Sequence, residues 1–324
     1  MIRFAGIVRH VAVAMVAAAA AGLCGCEHRE LCYDHSHWLD LTFEFDWSKA
    51  PDADPRTMVV YLFPKDGGAP RRYEFGNRQK AVVRAPAGEY DAIALNGDTE
   101  TLVERGATFE TFEITTAEEA LLAPMRRFAS VSTASSNAPR FEATADEPVR
   151  QSPDMLWSAK RENVSVVAMA GQQSVRFTPE ESTVTYHIIL KSSKKLSRAL
   201  EASAALSTMA EAYSPWQGMG SGKEVTVPIA LDIVGEDSFE GYANFFGHCP
   251  KGDDGRRHIL TVYTSAKKYF HFDVTDQVHE GEDSGGDVTI VVDAVPFPDP
   301  EIGTGMQPEV SDWSDIVNTD IDMN

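Results

Sequence analysis

The side chains best suited to chemistry are few and clustered near the cysteines. Cys24, Cys26, Cys32 and Cys249 are the only thiols, and His28, His35, His37 and His248 lie beside three of them. Cysteine and histidine are the zinc-ligand types, so a site from Cys32, His35, His37 and Cys249 can be drawn. Its spacing matches no closed zinc motif, and polar surface histidines are the simpler expectation: no metal and no cofactor. The sequence contains no HExxH, no GxSxG and no dinucleotide fingerprint. Gly218-Met219-Gly220-Ser221-Gly222-Lys223 is one residue too short for a phosphate loop, and Glu224 stands where Ser or Thr is required. Asp52-Ala53-Asp54 and Asp320-Ile321-Asp322 lack the ligand count of a calcium loop. No catalytic residues are expected, and the chain reads as non-enzymatic.

The covalent chemistry of Cys26 is another matter. Arg3 and Arg9 precede an Ala-rich apolar run from Val11 to Leu23, which has the length of a signal peptide rather than a ~20-residue membrane span. The run ends in Leu23-Cys24-Gly25-Cys26, which resembles a bacterial lipobox. That motif predicts removal of residues 1–25 and acylation of Cys26, with Cys24 as the alternative acceptor and an ordinary secretory signal as the competing reading. Each buried methylene contributes ~0.8 kcal/mol, so several acyl chains anchor a protein stably where one does not. An exported chain meets an oxidising compartment, so Cys32 and Cys249 are candidates for a disulfide.

The elements that must carry these residues read as strands. Leu41, Phe43, Phe45 and Trp47 share one face of a period-2 pattern, and Thr42, Glu44 and Asp46 share the other. Strands are also predicted at 58–63, 72–75, 81–84, 90–95 and 108–115, roughly 10 residues apart with turns between them. After a Ser- and Pro-rich stretch at 129–154, the pattern resumes at 164–169, 175–178, 184–191, 225–233, 259–264, 269–274 and 288–294. Pro228 marks an edge or a bulge. Residues 196–213 fit a helix or a small-residue strand equally well. The expectation is an all-β chain: signal peptide 1–25, tether 26–37, sandwich 38–128, linker or long loop 129–154, sandwich 155–296 and acidic tail 297–324.

Charge narrows the partners. The chain has 29 basic and 49 acidic residues, a net charge of −20, which excludes nucleic-acid binding. After Lys268 there is no Lys or Arg, while 14 acids follow. Val310, Trp313, Ile316 and Ile321 interrupt that acidic end and are the candidate partner-docking positions, whether the tail is free, docked on its own chain or docked on a partner.

Cys26-Glu27-His28-Arg29-Glu30-Leu31-Cys32-Tyr33-Asp34-His35-Ser36-His37 resembles the start of Bacteroidetes lipoproteins classed only as a domain of unknown function. Tyr61-Leu62-Phe63-Pro64, Leu95-Asn96-Gly97-Asp98, Phe246-Gly247-His248-Cys249-Pro250 and Val310-Ser311-Asp312-Trp313 fit the same group. These proteins are akin to the fimbrillin and fimbrial-anchor superfamily. The resemblance implies two tandem transthyretin-like (Greek-key) β-sandwiches, a lipid at Cys26 and the outer membrane, with exposure at the cell surface. It also implies fimbrial subunits as partners through β-strand addition. A glycan- or host-ligand-binding lipoprotein outside any fibre is the competing function.

Overall fold

The computed structural model describes residues 38–125, 138–168, 172–248, 256–299 and 313.

The period-2 segments of the first half form the first sandwich. Its strands are β1 (Trp38–Phe45), β2 (Met58–Pro64), β3 (Arg71–Phe75), β4 (Lys80–Pro86) and β5 (Gly88–Asn96). Three later strands join them: β8 (Trp157–Val166), β9 (Gln173–Phe177) and β10 (Glu180–Glu181). One sheet runs β4-β1-β9 and the facing one β10-β8-β5-β2-β3. Leu41 and Phe43 of β1 meet Met58, Val60 and Leu62 of β2 and Phe177 of β9 in the core between them. Alternation arises because one face of β1 turns to this core, while the opposite Glu44 pairs with Lys80 and Arg176.

The second sandwich contains β6 (Leu102–Arg105), β7 (Glu113–Thr116), β11 (Val184–Ser192), β12 (Ala202–Ser214), β13 (Met219–Ala230) and β14 (Asp232–Val234). It is completed by β15 (Ser238–Phe245), β16 (Ile259–Thr264), β17 (Tyr269–Asp273), helix α1 (Thr275–Asp283) and β18 (Val288–Val295). One sheet runs β14-β15-β11-β18, the other β17-β16-β12-β7-β6, with β13 paired to β12. Each sandwich joins an early strand to a late one in parallel: β1 with β9, and β11 with β18.

The all-β fold expected is the fold observed, but the strands do not divide at 129–154. β8, β9 and β10 lie after that stretch and pair within the first sandwich. β6 and β7 lie before it and pair within the second, where Tyr213 of β12 faces Ile114. Pairing partners are chosen across space, whereas a Ser- and Pro-rich composition reports only local solvation. Nor are the described residues 138–154 a bare spacer. Val149 bridges Thr226 on the open side of β13, Glu118 bridges Arg150, and Ala138 is buried. Pro228 does sit on β13, whose one partner strand among the described residues is β12, with the isolated Val149–Thr226 bridge on its other side.

The ambiguous stretch at 196–213 contains β12, buried along all its 13 residues. Ala204 and Leu206 face the second sandwich's core, while Ala205, Ala210 and Tyr213 enter two further apolar layers on the other side. A strand covered on both faces has no reason to alternate. One of these layers is the seam between the sandwiches. There Val59, Tyr61, Phe63, Ile93 and Leu95, on the outer face of β2 and β5, meet Phe109, Phe112 and Ile114.

Candidate functional site

The structure tests the predicted site residues unevenly. Cys26, Cys32 and Cys249 lie outside the described residues, as do Val310, Ile316 and Ile321. Trp313 is described, and it packs on its own chain. Its ring stands edge-on to Tyr263 at 5.8 Å and to Tyr269 at 6.5 Å, over the β16–β17 hairpin. Beneath it lie Leu121, Leu122, Met125 and Ala205. Tyr263 is fixed by donating its hydroxyl to the Pro139 carbonyl at 2.8 Å, and burial raises its pKa. Tryptophan in this acidic end therefore has a physical use: it covers an apolar sheet face.

A second feature is a polar cleft of about 350 Å³ lined by Phe141, Thr144, Glu147, Thr208, Arg256 and Arg257. A bulge in β12 builds one wall. The β12–β13 register shifts between Leu206 and Met209, and Thr208 takes a φ of 63°. That left-handed turn is strained for a β-branched residue and is held by neighbours. The Thr208 amide donates to Glu147 Oε2 at 3.1 Å, and its hydroxyl donates to the Arg257 carbonyl at 2.9 Å. Thr226 donates to the same Glu147 oxygen at 2.7 Å. Arg140 in turn donates to Thr226 Oγ1 at 2.6 Å and to the Glu147 carbonyl at 2.8 Å. Glu224 is paired with Arg256. Both carboxylates of the cleft are thus committed to structure rather than placed as an acid–base pair. The cleft instead offers an aromatic edge at Phe141 and the exposed side chain of Arg257, itself 3.5 Å from Asp273, a surface suited to polar or acidic ligands.

The third feature was not legible in the sequence. His248, expected at the surface, has a side chain only 6% exposed, and it meets His258 and His279. Ring centroids are 5.4 Å apart for His248–His258, 4.7 Å for His248–His279 and 5.1 Å for His258–His279. His258 is buried at the start of β16, with Nδ1 3.3 Å from the Ser207 carbonyl. Burial first, then the neighbouring imidazoles, depress its pKa to about 4, although the Ser207 bond opposes the shift. Glu282 Oε2 lies 3.5 Å from His248 Nε2, and the other Glu282 oxygen accepts the Tyr186 hydroxyl. Intervals of 10 and 21 residues separate the histidines in sequence, so only the meeting of β15, β16 and α1 brings them together.

With the geometry in place, comparison with known proteins adds the following. The family profile described as "Domain of unknown function (DUF5119)" matches residues 25–232. No curated protein matches the sequence. Among solved structures, a candidate adhesin from Bacteroides ovatus is similar at a TM-score of 0.58 and 16% identity, over 86% of this chain and 99% of that one. Candidate polysaccharide-binding proteins from Bacteroides thetaiotaomicron match at a TM-score of 0.50 and 12% identity, over 78% and 89%. The fimbrial anchor protein Mfa2 from Porphyromonas gingivalis matches at 0.45 and 14%, over 75% and 84%.

Proposed function

The chain belongs to the DUF5119 family, and on that premise we propose that it is a non-enzymatic cell-surface protein, held in the outer membrane by lipid on Cys26, that anchors or joins a fimbrium in adhesion. The fold it shares with a candidate adhesin supports the class. The observation that carries the reading is where the tether would pull. Cys26 lies 12 residues before β1, and β1 is the middle strand of its sheet, between β4 and β9. A middle strand cannot peel away from an edge. Its Leu41 and Phe43 are also locked in the core, and the seam binds that sandwich to the next. Force entering at the lipid is therefore spread over two ladders and two cores before reaching a partner. The acidic end beyond Lys268 is the natural place for that partner, whether a fimbrial subunit adds a strand there or docks on the tail.

Two measurements test this. Cys26→Ala moves the protein from the membrane to the soluble fraction; retention at the membrane defeats the anchor. Deleting the gene sheds fibres into the medium while they still assemble; fibres that stay attached defeat the fimbrial role. The cleft beside Phe141 and Arg257 favours one second reading, a glycan-binding surface protein. Saturable binding to one glycan class on an array, lost in Arg257→Ala, supports it over the fimbrial role.

A further inference from the structure

We propose that His248, His258 and His279 form a binding site for a zinc-class divalent cation, with Glu282 as the carboxylate that positions His248 and balances charge. One ligand atom from each of the three imidazoles lies within 4.8 Å of the others. Tetrahedral coordination at a Zn–N distance of ~2.0–2.1 Å sets ligand nitrogens about 3.3 Å apart, so closure needs at most about 1.5 Å of movement. Torsions of His248 and His279 absorb that shift, because His258 is the member pinned to the sheet.

The supporting atoms are those that a metal site requires. If His258 Nδ1–H donates to the Ser207 carbonyl, the Nε2 lone pair is the one left to bind metal, the usual way in which a backbone acceptor fixes a ligand's tautomer. Glu282 is partly buried, with its side chain 10% exposed, and the hydroxyl of the buried Tyr186 orients it. A carboxylate on a ligating histidine is the common second layer of zinc sites. Three imidazole nitrogens with one carboxylate behind them suit zinc better than the oxygen-seeking Mg²⁺ or Ca²⁺.

The backbone is shaped to allow the approach. Gly247 holds φ +90° immediately before His248, a conformation that glycine adopts without strain. On α1, a Cβ at Gly281 would lie 2.6 Å from Val288 Cγ1, so only glycine lets the helix sit this close to β18. His279 and Glu282, three residues apart, then share the helix face turned to the cluster. A cation here would staple the end of β15, the start of β16 and α1 to one another. This inference does not depend on what the protein attaches to.

The test is calorimetric titration of ZnCl₂ into full-length protein stripped with EDTA, its thiols alkylated so that cysteines cannot compete. The expected result is one saturable equivalent, and a Co²⁺-loaded sample showing the intense visible absorption of tetrahedral coordination. His279→Gln and His248→Gln each weaken binding at least about 10-fold, and Glu282→Gln about 10- to 100-fold, with unchanged metal-free circular dichroism. Absence of saturable binding, an octahedral cobalt spectrum, or unchanged affinity in both histidine variants overturns the site. The wild-type cobalt spectrum decides the matter even if a variant fails to fold.

Discussion

The seam between the sandwiches is buried, and the histidine corner beyond it is buried at His258 and partly buried at His248, His279 and Glu282; the two are made of opposite materials. In the seam, Phe112 stands 4.8 Å from Tyr61 and 5.5 Å from Phe63, and Phe109 stacks at 6.3 Å on Trp216. Offset and edge-on aromatic pairs of this kind add to ordinary apolar burial. At the corner, three imidazoles and a carboxylate occupy a comparable space, and their stability depends on protonation and on ligand. The seam is thus a permanent joint, whereas the corner is a conditional one. The proposed anchor role, with force entering at one end, requires the first kind between the sandwiches and places the second only away from that joint.

The sharpest way to break this contrast is to remove the seam's central ring. Phe112 is 2% exposed and touches both sandwiches, so Phe112→Ala leaves a cavity where little can collapse. A loss of about 3–5 kcal/mol is expected in urea unfolding. The loss should be the same at pH 5 and pH 7.5 and with or without EDTA, since Phe112 is not ionisable and burial pushes its neighbour Tyr61 further above that range. A loss that depends on pH or metal would mean that seam and corner are coupled.

This division of labour was only half legible in the sequence, for physical reasons. β1, β2 and β5 announce themselves because neighbouring faces meet different surroundings, or because a compact apolar run is closed by Pro64 and Gly67. β12 is silent because Ala204 and Ala205 are equally buried on opposite faces. β6 is short, and its Val103 is exposed, so no pattern accumulates. The cysteines drew attention to His35 and His37, while His258 and His279 lay in unremarkable strand and helix contexts. No local spacing encodes a cluster assembled by three elements. Trp313 lies between these cases: a tryptophan in an acidic end leaves a free and a docked tail both open, and only the fold sets its ring on Tyr263 and Tyr269.

The corner's own dependence gives the next effect in size. Folded His258 titrates at about 4 against an ordinary 6.5. Above pH 6.5 both folded and unfolded chains hold the imidazole neutral, and stability is complete. As pH falls from 6.5 toward 4 the unfolded chain takes the proton first, so stability is lost, on the order of 3 kcal/mol by the lower end. In EDTA this loss should register in amide exchange at Ile259 and along α1 before it reaches Phe112. Protection that fell first at the seam would reverse the assignment of the two joints.

The smallest effect belongs to a surface intermediate between the two, apolar like the seam but covered partly by one residue from the tail. Trp313 makes two edge-on contacts, with Tyr263 and Tyr269, and is only half-buried. Each such pair contributes about 0.5–1.5 kcal/mol, so Trp313→Ala should cost about 1–2 kcal/mol, independent of pH as at Phe112. If Trp313→Ala leaves the urea midpoint unchanged, the β16–β17 face does not rely on the tail at all. It would then behave as a face already open to a partner, neither a permanent joint nor a conditional one.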